Sequence, residues 1–478
     1  MRITSGLLTD LYELTMMQGY HHYDLNPRVV FDMFFRKQPF QGGFSVFAGL
    51  EDVLEVLKEL HFSDEDIEYL DSLGLFDDDF LEYLREFRFR GDVYAVPEGT
   101  VVFPQEPMIR IHGTLIECQL IESLVLNMVN FQTLVATKTA RIYLAANGGK
   151  VLEFGLRRAQ GVDGALSASR AAYIGGAGAT SNTLAGRRYR IPVSGTMAHS
   201  WVMAFEKEDE AFEKFAELYP DKTTVLIDTY DTLNSGIQNA IQVGKRLMAE
   251  GHPFAVRLDS GDIQYLSMQV RRALDRAGLT EAKIAASNEL NEEIIHQLVT
   301  DGAPIDLWGV GTHLVTGGSE SSFSGVYKLA AREENGGFQP TMKFSDNPEK
   351  STNPGIKQVY RFHDETGSPI ADLVAFDDEE IDGSKTYTFH HPFVDYRHFT
   401  LECPGDVVPL LVPYMKEGKL IRKLPALQEI QTVTRSNLQA LDGTFKRIIN
   451  PHIYRVSISD SVKRTKETIL KRYLGNDV

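Results

Sequence analysis

From about Val151 the chain alternates short apolar segments with amphipathic stretches of two to four helical turns, and this alternation narrows the possible folds more than any other feature. VLEFG, TTVLIDTYDT, PFAVRLDSGD, KIAASNELN and DLWGVGTHLVTG read as strands. Between them, residues 208–218, 237–251, 263–278 and 291–302 carry apolar side chains at helical spacing. Strand and helix recur about every thirty residues, the period of a βα unit. Right-handed succession of such units gives a parallel sheet, open or closed into a barrel, whose chemistry sits where strands end and loops begin.

Each of these strands ends in polar or small residues: Arg157 and Arg158, then Asp228 and Asp231, then Arg257 and Asp259, then Ser287, Asn288 and Glu289, and last Gly309, Gly311, Thr312 and Thr316. Turns account for some of the Gly, Asp and Asn. Five consecutive strand ends bearing charged or phosphate-suited groups point to a site.

The flanks have another texture. Apolar spacing predicts a helix over 7–19 that carries Tyr12, with His21 just beyond it, further helical stretches over 51–60 and 64–89, and a strand over 29–35. The run Asp77, Asp78, Asp79 reads as a solvated face. Residues 93–108, punctuated by Pro97, Gly99, Pro104 and Pro107, suggest short antiparallel strands of an α+β domain, and a long helix begins near Leu115. After Leu329 come the loop NPEKSTNPG and the acidic turn FDDEEIDG, and from Lys385 strands and a terminal helix over 461–473 suggest a small final domain. The expected division is an N-terminal α+β domain over 1–120, a βα-barrel catalytic domain over 121–345, and a C-terminal region over 346–478 partly packing back on the first.

Composition sets limits on function. Against 49 Lys and Arg stand 66 Asp and Glu, a formal net charge of −17. That balance opposes non-specific adhesion to nucleic acid or anionic membrane, so an anionic substrate must find a local cationic pocket. The two cysteines, Cys118 and Cys403, are far apart and outside any CxxC spacing, which fits a reducing, cytoplasmic setting. The first twenty residues lack the apolar run of a signal peptide, and the apolar window 115–129 is broken by Glu117, Glu122 and Asn127, so neither export nor a membrane span is expected.

Four motifs carry candidate chemistry. GVGTHLVTGG, at 309–318, can wrap a phosphate with backbone amides while its Thr hydroxyls add donors, although it matches neither the Rossmann nor the Walker spacing. RLDSGD, at 257–262, sets Arg257 and Asp259 two apart on a strand, facing one way, so that Arg neutralises an anion and Asp holds ribose hydroxyls or magnesium. SGTMAHSW, at 194–201, surrounds His199 with hydroxyls, suiting it as a general base or as a nucleophile for a phosphoryl group. EFGLRRAQG, at 153–161, ends a strand in two arginines, only one of which can face a barrel mouth, and Arg157 ranks above Arg158.

TDLYELTM at 9–16, EFGLRR at 153–158, TSNTLAG at 180–186, GTMAHSW at 195–201, LIDTYDT at 226–232, RLDSGD at 257–262 and GVGTHLVTG at 309–317 together resemble the nicotinate phosphoribosyltransferases. The resemblance implies the irregular βα barrel of the type II phosphoribosyltransferases. It also implies transfer of phosphoribose from phosphoribosyl pyrophosphate to nicotinate, in NAD biosynthesis or salvage, with ATP hydrolysis coupled through phosphorylated His199 and Mg2+ arriving with the substrates rather than held tightly. By the same resemblance Tyr12, from the partner in a homodimer with shared active sites, and Phe154 sandwich the pyridine ring. Arg257 meets the nicotinate carboxylate or a neighbouring phosphate with Thr196 close by, Arg157 adds a cation, Asp228 and Asp259 hold ribose and magnesium, and Gly311, Thr312 and Thr316 cradle the 5′-phosphate. His199 and Asp259 are the catalytic candidates.

Relatives that use nicotinamide carry Asp in the segment resembling TSNTLAG. An ionised Asp repels a carboxylate where the neutral Asn182 does not, so this chain is expected to prefer the acid. The alternatives are nicotinamide as substrate, or a metal-dependent βα-barrel hydrolase or lyase using Asp228, Asp259, His199 and His313, a reading weakened by the lack of an HxH or HExxH pair.

Overall fold

The computed structural model describes residues 4–402 and 405–474. Cys403 lies outside them. Cys118 is a buried free thiol whose burial pushes its pKa up.

Val135–Ser321 form one compact unit. Its core is a six-stranded, all-parallel sheet in the order Ala179–Thr180, Lys150–Glu153, Leu307–Val310, Lys283–Ala286, Ala255–Leu258, Thr224–Leu226. The five apolar segments of the sequence supply five of these strands, and the helices Glu208–Leu218, Ile237–Ala249, Ile263–Arg276 and Glu292–Thr300 stand where the periodicity puts them. Val225, Leu226, Val256 and Ile284 from the strands pack with Ile237, Leu247, Val270 and Leu274 from the helices in one buried cluster. Burial against helices is what lets short parallel strands read as nearly continuous apolar runs.

The two-residue strand Ala179–Thr180 gave no periodic signal. Beyond it, Thr180 N donates to Pro192 O and Ser194 N to Thr180 O, each at 3.0 Å, a single parallel bridge with Val193. Pro192 has no N–H for a longer ladder. The coil that follows carries Met197 into the cluster containing Val225 and Leu226. A coil segment thus runs from one edge of the strand row to the core at the other edge, which makes the barrel irregular.

Met1–Leu134 and Ser322–Val478 form the other unit. Its seven-stranded sheet runs Gly337–Pro340, Gly325–Glu334, Arg28–Phe35, Ile109–Thr114, Asp92–Ala95, Val412–Lys416, Lys419–Leu420. The strand Gly325–Glu334 lies antiparallel to Arg28–Phe35, with Met33 opposite Tyr327. The units therefore part at 134/135 and 321/322 rather than at 120/121 and 345/346, because the first strand after the Gly/Thr loop belongs to this antiparallel sheet. A second, six-stranded sheet is built from residues 357–458.

The expected first helix is observed as Leu11–His22 and includes His21, which pairs with Asp79 at 2.9 Å. The acidic run is less idle than a solvated face: Asp77 caps the helix Asp78–Glu86, accepting from Phe80 N. Leu115–Ala145 is long and apolar enough to cross a membrane by length and composition, with mean hydropathy 1.3, yet 61% of that window is buried inside the protein. It is a core helix.

Candidate active site

The parallel register sets the level of the site. Leu226 pairs with Arg257, Ala286 with Leu258 and Val310 with Glu153. Residues one or two past those positions therefore emerge at the same end of the sheet: Phe154, Asp228, Asp259, Ser287 and Gly311.

There they form one connected set. Asp228 Oδ2 accepts the Asp259 backbone N–H at 2.9 Å and the Ser260 hydroxyl at 2.6 Å. Asp259 Oδ1 accepts the Ser287 hydroxyl, and its Oδ2 lies 3.8 Å from His199 Nε2. His199 Nδ1 meets the Thr229 hydroxyl at 3.1 Å, which leaves Nε2 as the nitrogen turned toward the carboxylate. Arg257 Nη1 donates to Thr196 Oγ1. Burial draws the Arg257 guanidinium below its ordinary pKa, Asp259 and Asp228 act to raise it, and the charge of Arg157 adds to the lowering. An arginine stays charged through such shifts. Of the adjacent pair, Arg157 is thus the one whose charge is felt at Arg257.

Two polar atoms of this set, Arg257 Nε and Asp228 Oδ1, are buried without a protein partner. A buried donor and a buried acceptor left without partners cost stability unless a ligand satisfies them.

Phe154 forms a shelf at the same end of the sheet. Its backbone N–H donates to Val310 O at 2.8 Å, and its ring lies over Gly309, where a Cβ would stand 2.7 Å from two ring carbons. Glu153, only 1% exposed, accepts the Gly155 N–H, the Ser169 hydroxyl at 2.9 Å and the Thr180 hydroxyl, so a buried carboxylate ties down the turn that presents the ring. Against the Phe154 backbone, Gly311 leads into the short turn Thr312–Val315, the Thr316 hydroxyl bonds Thr312 O at 2.7 Å and accepts Gly318 N–H at 3.3 Å, and Gly317 and Gly318 both have positive φ. Thr312 Oγ1 stands 3.4 Å from Glu289.

Two of the expected site residues have other surroundings. Asn182 is 2% exposed and spent on structure: its Oδ1 accepts Ala185 N–H at 3.1 Å, capping Thr183–Tyr189, and its Nδ2 donates to Ser169 Oγ at 3.2 Å. Tyr12 belongs to the other unit, on the helix Leu11–His22, with 49% of its surface exposed and its phenol pKa raised by burial and by Glu13. Asp231 likewise caps the turn Thr232–Gly236 through Leu233 N and Asn234 N. Conversely, Thr229 and Ser260 belong to the site without a role having been given to them, and Ser287 and Gly309, named only as strand-end residues, gain contacts there. Each stands inside a strand-end motif, so the signal was present in their position.

Residues 7–130 match the N-terminal domain of nicotinate phosphoribosyltransferase, 150–322 the nicotinate phosphoribosyltransferase family and 356–466 its C-terminal domain. The chain belongs to the nicotinate phosphoribosyltransferase family. It is 43% identical over 460 residues to the nicotinate phosphoribosyltransferase of Bacillus subtilis, covering 95% of this chain and 93% of that one. The human enzyme of that name is 33% identical over 516 residues, covering 96% and 95%. The crystal structure of human nicotinic acid phosphoribosyltransferase superposes with a TM-score of 0.84 at 30% identity, over 96% of this chain and 99% of that one. A nicotinate-nucleotide pyrophosphorylase from Pyrococcus furiosus shares the fold, with a TM-score of 0.70 at 23% identity over 91% and 95%.

Proposed function

We propose that this member of the family transfers the phosphoribosyl group of phosphoribosyl pyrophosphate to nicotinate, in NAD biosynthesis or salvage. The observation that carries the reading is that Arg257 Nε and Asp228 Oδ1 are buried without a protein partner at the end of the sheet that also bears Phe154 and Gly311. The guanidinium suits the nicotinate carboxylate, the ring suits stacking on pyridine, and Gly311, Thr312 and Thr316 suit a phosphate. Arg257, rather than the helix-capping Asn182, then supports the acid over the amide.

In the reaction the pyridine nitrogen forms the bond to the ribose anomeric carbon while the bond from that carbon to pyrophosphate breaks, and its electron pair leaves with pyrophosphate. Asp228 and Asp259 hold the ribose side, and Arg257 and Arg157 offset the anionic charge. Asp228 Oδ1, an open carboxylate oxygen, and Asp259 are fit to hold Mg2+, which when bound neutralises charge on the departing pyrophosphate. Among the described residues no group of three or more His, Cys, Asp or Glu side chains gathers to hold a metal.

His199 is assigned to ATP. Its Nε2 accepts the terminal phosphoryl group, ADP departs, and water later releases phosphate; the phosphorylated side chain would add negative charge beside Asp259 and shift the site between states. Tyr12 of a second copy, in a homodimer, is assigned to the other face of the pyridine, which fits its exposed ring. The experiment is product formation from phosphoribosyl pyrophosphate with nicotinate or nicotinamide, each with and without ATP and Mg2+. Nicotinate-specific, ATP-stimulated turnover is expected. Preference for nicotinamide would overturn the role given to Arg257, and no turnover with either base would overturn the reaction.

A further inference from the structure

One buried acid follows the His199 helix along the chain and takes no part in the chemistry above. Glu208 opens the helix Glu208–Leu218 and is 6% exposed. Its Oε2 accepts the Ser235 hydroxyl and, at 2.9 Å, the Asn239 side-chain N–H, while its Oε1 is buried without a protein partner. Both donors are neutral, and an acceptor left open in the interior costs stability, so the fold alone gives little reason for an acid at this place.

What Glu208 grips is the turn that follows the strand end of Asp228. Ser235 lies in the turn Thr232–Gly236 and Asn239 in the helix Ile237–Ala249 behind it. Gly236 lets that turn press onto the strand: a Cβ there would collide with Ile227 O and stand 2.7 Å from Ile227 C, directly before Asp228 and Thr229. On the other side, the helix of Glu208 holds the helix His199–Met203, since Trp201 Nε1 donates to Ala211 O at 2.9 Å and the Trp201 ring meets Phe215 edge-on at 5.9 Å. The chain of contacts closes where the Thr229 hydroxyl meets His199 Nδ1 at 3.1 Å. Glu208 therefore ties together the two segments that carry the two ends of that hydrogen bond.

We propose that Glu208 is a positioning residue for His199. By fixing the turn 232–236 against the helix on which Trp201 is anchored, it sets the Thr229 hydroxyl at His199 Nδ1. The proton then stays on Nδ1, donated to Thr229, and the Nε2 lone pair is free to form the bond to the terminal phosphorus of ATP as the bond to ADP breaks. The proposal rests on the assignment of His199 to ATP. Asp228, on the same strand end, is held separately by the Asp259 N–H and the Ser260 hydroxyl, so transfer without ATP depends little on Glu208.

The test measures incorporation of label from ATP labelled in its terminal phosphate, transfer with and without ATP, and thermal midpoint, in the full-length protein and in Glu208→Leu, Glu208→Gln, Ser235→Ala and His199→Ala. A displacement of about 1 Å can slow a reaction about a hundredfold, so Glu208→Leu is expected to slow incorporation about tenfold to a hundredfold, with transfer in the absence of ATP little changed. Glu208→Gln, whose amide oxygen can accept from both Ser235 and Asn239, is expected to restore most of the rate. A lower thermal midpoint in Glu208→Leu with unchanged incorporation, or a Glu208→Gln enzyme as slow as Glu208→Leu, would overturn the proposal. Should Glu208→Leu fail to fold, Ser235→Ala decides: it removes one of the two donors and should slow incorporation, and an unaltered rate would refute the clamp. His199→Ala separates the two readings. If it still takes up label, the assignment of His199 to ATP falls and the proposal with it; if it takes up none while Glu208→Leu matches the unaltered protein, only the role of Glu208 falls.

Discussion

Gly309→Ala tests the shelf by one methyl group. The added Cβ would meet two ring carbons of Phe154 at 2.7 Å and Ser287 Cβ at 3.3 Å. Carbon atoms pack at about 3.5–4.0 Å, so the ring has to withdraw by roughly 1 Å. The backbone at 309 is not in the positive-φ region, so alanine itself is tolerated there and gains roughly 0.5–1 kcal/mol from reduced chain entropy. Overpacking costs about 1–3 kcal/mol, which leaves a small net loss of stability. Function should suffer more. An aromatic stacking contact is worth about 0.5–1.5 kcal/mol, which predicts a rise of roughly 2- to 12-fold in KM for nicotinate. Initial rates at saturating phosphoribosyl pyrophosphate measure it, with Phe154→Leu as a second background in a double-mutant cycle. If the clash with the ring is the cause, Gly309→Ala costs much less once Phe154 is leucine. An unchanged KM for nicotinate, or the same effect in both backgrounds, refutes the placement of the ring.

Four further outcomes are expected. His199→Ala abolishes stimulation by ATP and leaves a slow transfer, measured as nucleotide formation with and without ATP; equal loss of both contradicts the division of labour. Arg257→Gln removes a charged hydrogen bond worth about 1.5–3 kcal/mol and raises KM for nicotinate about tenfold to over a hundredfold, and an unchanged KM would move the carboxylate elsewhere. Asn182→Asp keeps the helix cap but turns a second carboxylate onto the Ser169 hydroxyl that already serves Glu153, so it lowers the thermal midpoint without changing the preference between nicotinate and nicotinamide; a switch toward the amide would restore Asn182 to the specificity role. His112 is held neutral by burial and by Arg110 and Arg28, its pKa pushed down to about 3. The unfolded chain takes up that proton near pH 6.5, so this group costs stability as pH falls below about 6.5 at up to roughly 1.4 kcal/mol per unit, down to about 3. His112→Phe should flatten denaturation midpoints between pH 6 and 4 relative to the unaltered protein, and parallel curves would reject the cause.

The barrel was legible because each βα unit repeats one physical demand, an apolar strand covered by an amphipathic helix, and five of its six strands, all but Ala179–Thr180, fall on the segments that periodicity marks. The site was legible in its level but not in its membership. Polar residues at strand ends serve two purposes that use the same side chains: Asp228 and Asp259 meet the site, whereas Asp231, Asp262 and Asn291 cap the helical segments that follow. Asn182 shows the cost of that degeneracy, since a short polar residue just before a helix satisfies the capping rule as well as any specificity rule. Contacts set by register, such as Ser287 on Asp259, follow once the parallel pairing of Ala286 with Leu258 is known, and spacing along the chain alone does not supply it. The antiparallel pairing of Met33 with Tyr327 was beyond reach for a further reason, because a strand carries no mark of a partner almost 300 residues away. The same holds for Lys138, on the helix Glu122–Ala145: helical periodicity places it on a buried face, but only the fold brings its ammonium against Gly318 and within 2.6 Å of Glu292.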